Sequence, residues 1–183
     1  MSGILKVGGS ELINDNGGSG SLQWGVNVPT GTTLQTIGIM SPDVDTTTST
    51  IPNDDTIPQN DEGKEAFTLA ITPSHANNKL LIHAFCGCIS NDTANRRCYF
   101  ALFKDSDTDA IAVSYADYQP SATGEQGLDL THFMTAGSAG SPITFKIRFG
   151  ASNTGTTTLN GSSGARLMGG VLATGMTITE IKA

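Results

Sequence analysis

Charge is scarce in this chain. Only 15% of its 183 residues are charged, and 10 basic residues against 17 acidic ones leave a formal net charge of −7. So few Lys and Arg cannot supply the basic stripe that nucleic-acid binding needs, and nucleic-acid partners are not expected. Long apolar runs are missing as well. None approaches the ~20 residues of a membrane-spanning helix, so membrane insertion is not expected. The opening Met1-Ser-Gly-Ile-Leu-Lys-Val-Gly-Gly9 lacks the basic start and apolar centre of a secretory signal, which points to synthesis in a cytoplasm without that export route. Cysteine is limited to three residues, Cys86, Cys88 and Cys98, which cannot all pair within one chain. Cys86 and Cys88 are neighbours on one face of a strand and diverge, so all three are expected to be reduced thiols in packed positions. Equipment for catalysis is absent too. There is no Gly-x-Ser-x-Gly elbow, phosphate loop or dinucleotide fingerprint, so neither an enzyme nor a cofactor is expected.

Glycine is plentiful, at 22 residues, beside a surplus of Ser and Thr. That mixture is poor for helices and suits short strands joined by many turns. The longest apolar stretch, Lys79 to Ile89, is apolar at both parities. Leu80, Ile82, Ala84, Cys86 and Cys88 share one face and Leu81, His83, Phe85, Gly87 and Ile89 the other, which predicts a strand covered on both sides. Further strands are expected at Phe67–Ile71, 98–104, 110–115, 127–135, 144–149, 156–159 and 171–181. Residues 143–149 alternate cleanly between Ile or Phe and Thr, Lys or Arg. Strands at this spacing predict an all-β, antiparallel β-sandwich or jelly roll.

The division expected is an extended N-terminal attachment arm, residues 1–40, and a jelly-roll domain, residues 41–183. In the arm, Ile4-Leu-Lys-Val7 and Ser21 to Val28 read as short strands broken by Gly-rich pieces. The arm buries too little alone and is expected to dock on something larger, with Ile4, Leu5, Val7 and Trp24 as anchors. Ile51-Pro52 and Ile57-Pro58 force extended backbone without ladder donors, which suits a segment running along a sheet edge.

Several constellations suggest chemistry, each with a plainer reading. His83, Cys86, Cys88, Cys98 and nearby His75 hold the atoms of a zinc site, but Cys-x-Cys within an apolar strand lacks knuckle spacing, and core packing with a satisfied histidine is favoured over metal. Asp105, Asp107 and Asp109 resemble the start of a calcium loop, yet Ala110 stands where glycine is needed and Ala116 where glutamate is, so an acidic turn is expected. Asp54-Asp55 and Asp61-Glu62 read as solvated turns. Arg96-Arg97, the one paired basic site, suits a carboxylate-rich partner or a solvated loop end. Arg166, in the Gly-rich Asn160 to Gly170 connection, is placed for a charge-assisted bond between subunits.

Ile51-Pro-Asn-Asp-Asp-Thr-Ile-Pro-Gln-Asn-Asp-Glu-Gly63, Thr158-Leu-Asn-Gly161, Gly164-Ala-Arg-Leu-Met-Gly-Gly-Val-Leu-Ala173 and Ile178-Thr-Glu-Ile181 together resemble a jelly-roll domain of virion proteins of tailed bacteriophages, of the tail-fibre or receptor-binding kind. Lys79-Leu-Leu-Ile, Ala101-Leu-Phe-Lys-Asp and His132-Phe-Met-Thr-Ala-Gly fit the same pattern, and the likeness covers about residues 48–183. The first residues are similar, more loosely, to attachment ends of such fibres. The resemblance implies a homotrimer on a virion, at the tail or the capsid surface, made in the host cytoplasm. It implies other virion proteins as partners of residues 1–40 and a host cell-surface glycan or protein as a further partner. The alternatives are a trimeric capsid decoration (cement) protein and, in another class, a glycan depolymerase, for which Asp54 and Glu125 are the carboxylates to test.

Overall fold

The computed structural model describes residues 28–119 and 121–183, with the side chains of 117–119 left aside, and three N-terminal strands by backbone alone. Those three are β1 (Ile4–Val7), β2 (Ser10–Asn14) and β3 (Gln23–Trp24), paired antiparallel in the order β1-β2-β3. The sandwich follows as β4 (Thr33–Ser41), β5 (Asp45–Thr47), β6 (Lys64–Ile71), β7 (Lys79–Asn91), β8 (Arg96–Lys104), β9 (Ala112–Gln119), β10 (Gln126–Thr135) and β11 (Ile143–Ala151). It closes with β12 (Thr157–Leu159), the short hairpin β13 (Gly161–Ser162) and β14 (Ala165–Arg166), and β15 (Thr174–Ile181).

Sheet 1 is built around β7. β10 pairs along one of its edges over Lys79 to Ile89, while β15 and β12 lie end to end along the other, with β4 and β5 outside them. Sheet 2 has the order β6-β11-β8-β9. Numbered one to eight along the chain, the long strands therefore run 1-8-3-6 in sheet 1 and 2-7-4-5 in sheet 2. That order is a jelly roll, as the turn spacing led one to expect. β4, inside the stretch read from sequence as arm, pairs along its length with β15, so the first sheet begins at Thr33.

The inward positions of the two sheets form one core. β7 gives Leu80, Ile82, Ala84 and Cys86, β11 gives Ile143, Phe145, Ile147 and Phe149, and β8 gives Cys98, Phe100 and Leu102. Each is a period-two set, the signature of a strand with one face on a partner layer. One part of the expected β7 pattern is corrected. Between Cys86 and Ile89 its register against β10 slips, with three steps on β7 opposite two on β10. The slip turns Ile89 into the core and takes Cys88 out of that core cluster to lie against Gly161.

A second small cluster sits outside sheet 2. Tyr99, Ala101 and Phe103 of β8 are covered there by Ile51 and Ala110. The segment 51–63 crosses this face from β11 to the β8–β9 turn, held by Ile51 N–H to Ala151 O, Ala110 N–H to Pro58 O and Asn60 N–H to Thr108 O. Arg148 of β11 donates from Nε to Glu62 O and from Nη2 to Gly63 O, pinning the segment's far end. The expected edge-runner is thus a strap over a face. Its prolines hold it extended and leave no ladder donors to waste. It presses down where β11 carries Gly150, because a Cβ there would lie 2.7 Å from Ser49 O.

Candidate functional site

Two outer surfaces of the sandwich have the makings of contact sites. The outer face of sheet 1 is fixed by strand register. One row across it reads Met40, Gly175, Phe85, Asp129; the next Gly38, Thr177, His83, Thr131; the third Thr36, Thr179, Leu81, Phe133. Phe133 is 56% exposed and Met40 67%. Phe85 lies flat because Gly175 beneath it has no side chain: a Cβ there would sit 2.9 Å from the Phe85 ring. His83 stacks on Phe85 with ring centroids 5.9 Å apart and meets Asp129 Oδ1 at 3.2 Å. Lys79, at the base of the face, donates to Thr135 Oγ1 at 2.7 Å. On this face the charge of Lys79 offsets that of Asp129, so a chain of net charge −7 keeps its surplus carboxylates off it.

The upper end of that face is closed by the connection after β12. Gly161 O accepts from Ser90 Oγ at 2.9 Å and from the Cys88 thiol at 3.5 Å, and Ala173 O accepts from Gly87 N–H. Met168, Gly169 and Gly170 are consecutive left-handed residues at φ 50, 64 and 91. This turn pushes Met168 and Val171 into solvent, the latter 85% exposed.

The second surface is a cleft of about 380 Å³ between the strap and β9, lined by Asn53, Asp54, Thr56, Ile57, Tyr99 and Val113 among others. Tyr99 donates its hydroxyl to Asn53 Oδ1 at 2.7 Å, and its ring centroid lies 6.0 Å from that of Tyr115, tilted by 46°. Burial raises the Tyr99 phenol pKa, and the charge and side-chain hydrogen bond of Arg97 pull the other way. Arg97 sits with its guanidinium carbon 5.3 Å from the Tyr115 centroid, and its buried Nε has no hydrogen-bond partner among the described residues. Tyr115 itself is 55% exposed.

The sequence-derived candidates fall variously on this frame. Arg96 and Arg97 lie within β8 rather than in a loop before it. Arg96 donates from Nε to Thr154 O at 3.0 Å, and the Arg97 guanidinium lies over the Tyr115 ring. Arg166 is exposed and folds back over its own turn, with its side chain against Gly170. The side chains of Ile4, Leu5, Val7 and Trp24 lie outside the described residues. His83 is corrected from a core histidine to a half-exposed one on the outer face. The face it shares, expected to be covered, is open over most of its length. Cys86 and Cys98 pack in the core and Cys88 under β13; burial pushes the thiols up, Cys88 to about 11 and Cys98 to about 12, which leaves them inert as nucleophiles. Among the described residues no three His, Cys, Asp or Glu side chains converge as metal ligands. Asp105 closes its turn by accepting Thr144 N–H at 2.8 Å and pairing with Lys104 at 3.0 Å, as an acidic turn should.

One residue was missed altogether. Glu180 on β15 points inward and is fully buried. Its Oε1 accepts from Ser74 N–H, Ser74 Oγ and Asn78 Nδ2 at 2.6 to 2.8 Å, and its Oε2 accepts from Gln35 Nε2 at 2.6 Å. Burial alone would raise this carboxyl's pKa, but bonds from Asn78, Gln35 and Ser74 outweigh it, and the net shift is downward. The inward parity of Glu180 beside Ile178 was the one signal available in the sequence.

No family model matches the chain, and no curated protein matches it. Among solved structures it is similar to Eiger TNF from S. frugiperda, with TM-score 0.40 and 8% identity over 81% of this chain and 92% of that one. It is also similar to infectious bursal disease virus, Gx strain, with TM-score 0.33 and 13% identity over 81% of this chain and 37% of that one. At those scores nothing of either protein is carried over, and the jelly-roll order stands on this chain's own strand pairings.

Proposed function

We propose that this chain is a non-enzymatic structural protein of a virion: a short homotrimeric tail-fibre or receptor-binding knob of a tailed bacteriophage, attached to other virion proteins through the part of residues 1–40 that precedes β4. The observation that carries the reading is the outer face of sheet 1. Acidic copies repel one another wherever carboxylates meet, so self-association needs a surface where they do not. The face is balanced in charge and sets Met40, Leu81, Phe85 and Phe133 among threonines and glycines, which suits a protein interface of mixed character. The segments that resemble phage virion jelly rolls supply the setting. Other virion proteins and the host cell surface are the proposed partners, with the virion as the proposed location.

Size-exclusion chromatography with light scattering tests assembly. A trimer at micromolar concentration is expected, and a monomer there overturns the reading. Imaging of particles labelled against this chain tests position. Label at one vertex supports a tail knob, whereas label over the whole head replaces it with a capsid decoration protein.

A further inference from the structure

We propose that the cleft between the strap and β9 receives the Met168–Val171 turn of a second copy of this chain. The contact needs neither the trimer nor a place in a particle, since neither half belongs to the rows of the sheet 1 face. The turn stands at the upper end of that face and the cleft lies outside sheet 2. On opposite sides of the sandwich they cannot meet within one chain, so the contact runs head to tail between copies. Shape is the first argument. Ile57 and Pro58 of the strap and Val113 of β9 give the cleft apolar walls. Ile57 is 55% exposed and Val113 42%, so these walls stay wet unless something fills the gap. The turn is a ready-made plug. Met168 is held in left-handed backbone against its preference, and its side chain is 71% exposed beside Val171. Gly170 N–H to Leu167 O and Val171 N–H to Met168 O keep the turn closed. A cleft of about 380 Å³ takes a few side chains of this kind and is too small for a folded element.

Charge decides the occupant. The strap, residues 51–63, carries Asp54, Asp55, Asp61 and Glu62 and no Lys or Arg, and Asp54 is the one charged side chain lining the cleft. Residues 160–173 carry the opposite: Arg166 and no carboxylate. Arg166 is exposed, lies along Gly170 and makes no ion pair among the described residues. Asp54 accepts from the Thr56 N–H and hydroxyl and meets no cation among the described residues. In a chain of net charge −7 most surfaces repel the strap, whereas this turn is attracted to it. An exposed pair adds little affinity, but it fixes register and turns away copies docked wrongly. The apolar plug supplies the remainder. An apolar small molecule in the cleft is the competing occupant, and it would leave the copies unjoined.

The experiment traps the contact. Val171→Cys and Val113→Cys are made in separate full chains, mixed at high concentration and oxidised with diamide. A disulfide closes only where Cα atoms come within about 7 Å, and the native thiols are buried. The disulfide joining positions 171 and 113 is expected to exceed either like-with-like product about fivefold or more. Arg166→Glu in the first chain is expected to cut that yield about fivefold, and Asp54→Lys in the second to do the same. The two reversals together are expected to restore it, which damage to either fold could not do. With Phe133→Asp in both chains an unchanged yield is expected. Absence of the mixed disulfide, indifference to either reversal, or no recovery with both each overturns the proposal. Loss of the product with Phe133→Asp overturns it too, by assigning the link to the sheet 1 joint. A disulfide formed by a chain that is monomeric at micromolar concentration supports this contact while it overturns the trimer.

Discussion

At the scale of single residues, Glu180 shows how a buried charge is kept with no counter-ion among the described residues. Four hydrogen bonds from Gln35, Ser74 and Asn78 replace its hydration, and they tie β15 to β4 and to the turn before β7. Glu180→Gln would set an NH₂ against groups that already donate, so a loss of about 1–3 kcal/mol is expected at neutral pH. The pH dependence has a definite sign. The folded-state pKa lies below 4.5, so the carboxylate's contribution is complete above that value and drains away as pH falls through the folded pKa. Wild type should therefore melt well above Glu180→Gln at pH 7, and the gap should close on acidification; thermal melts of both proteins from pH 7 down to pH 3 check this. A constant gap would mean that the carboxyl's charge is not what the network needs. None of this was legible in the sequence beyond a glutamate at an inward parity. Its partners come from segments 102 to 145 residues away, and only the finished fold brings them together.

Among the elements, β7 and β8 show what period-two reading captures and what it does not. The alternation of β11 and the lower half of β7 transferred directly, since each inward set is local in sequence and faces one layer. The register slip near Cys88 did not, because a bulge is decided by the partner strand and by the hairpin that Gly161 brings over. Two-sided cover was assigned to β7, yet β8 is the strand buried on both faces, with Phe100 and Leu102 inward and Tyr99, Ala101 and Phe103 under the strap. The unbroken apolar run from Cys98 to Phe103 carried that information. What hid it was that the cover comes from a Pro-rich segment with no strand pattern of its own. If Ile51 is the strap's main apolar anchor, Ile51→Ala should cost about 2–5 kcal/mol. Hydrogen exchange should then quicken first at the Asn60 and Ala110 amides, which bind the strap to the β8–β9 turn, and later at Phe100 in the core. Simultaneous loss of protection at all three would show instead that strap and sandwich unfold as one unit.

For the whole molecule, the jelly roll was legible because turn residues recur at strand spacing and almost nothing favours helix, whereas the entry of β4 was not. Thr33 to Ser41 mixes Leu34, Ile37, Ile39 and Met40 with polar residues and glycine and is at most partly buried, and it reads as strand only once β15 is there to pair with it. That edge completes the charge-balanced outer face of sheet 1, the proposed joint between copies. Three copies together would carry a charge of about −21, three times −7, so association must overcome long-range repulsion with short-range apolar contact. A threefold ring joins two different patches of each chain, so one altered residue is repeated at every interface. Phe133→Asp places a carboxylate at the most exposed aromatic of the face, and because that side chain leaves the core untouched, the monomer should keep its melting behaviour. Light scattering is expected to show monomer for Phe133→Asp where wild type is trimeric. Added salt should tighten the wild-type assembly by screening the repulsion while leaving the apolar contact intact. Assembly that weakens as salt rises would place ion pairs, not the apolar face of sheet 1, at the joint between copies.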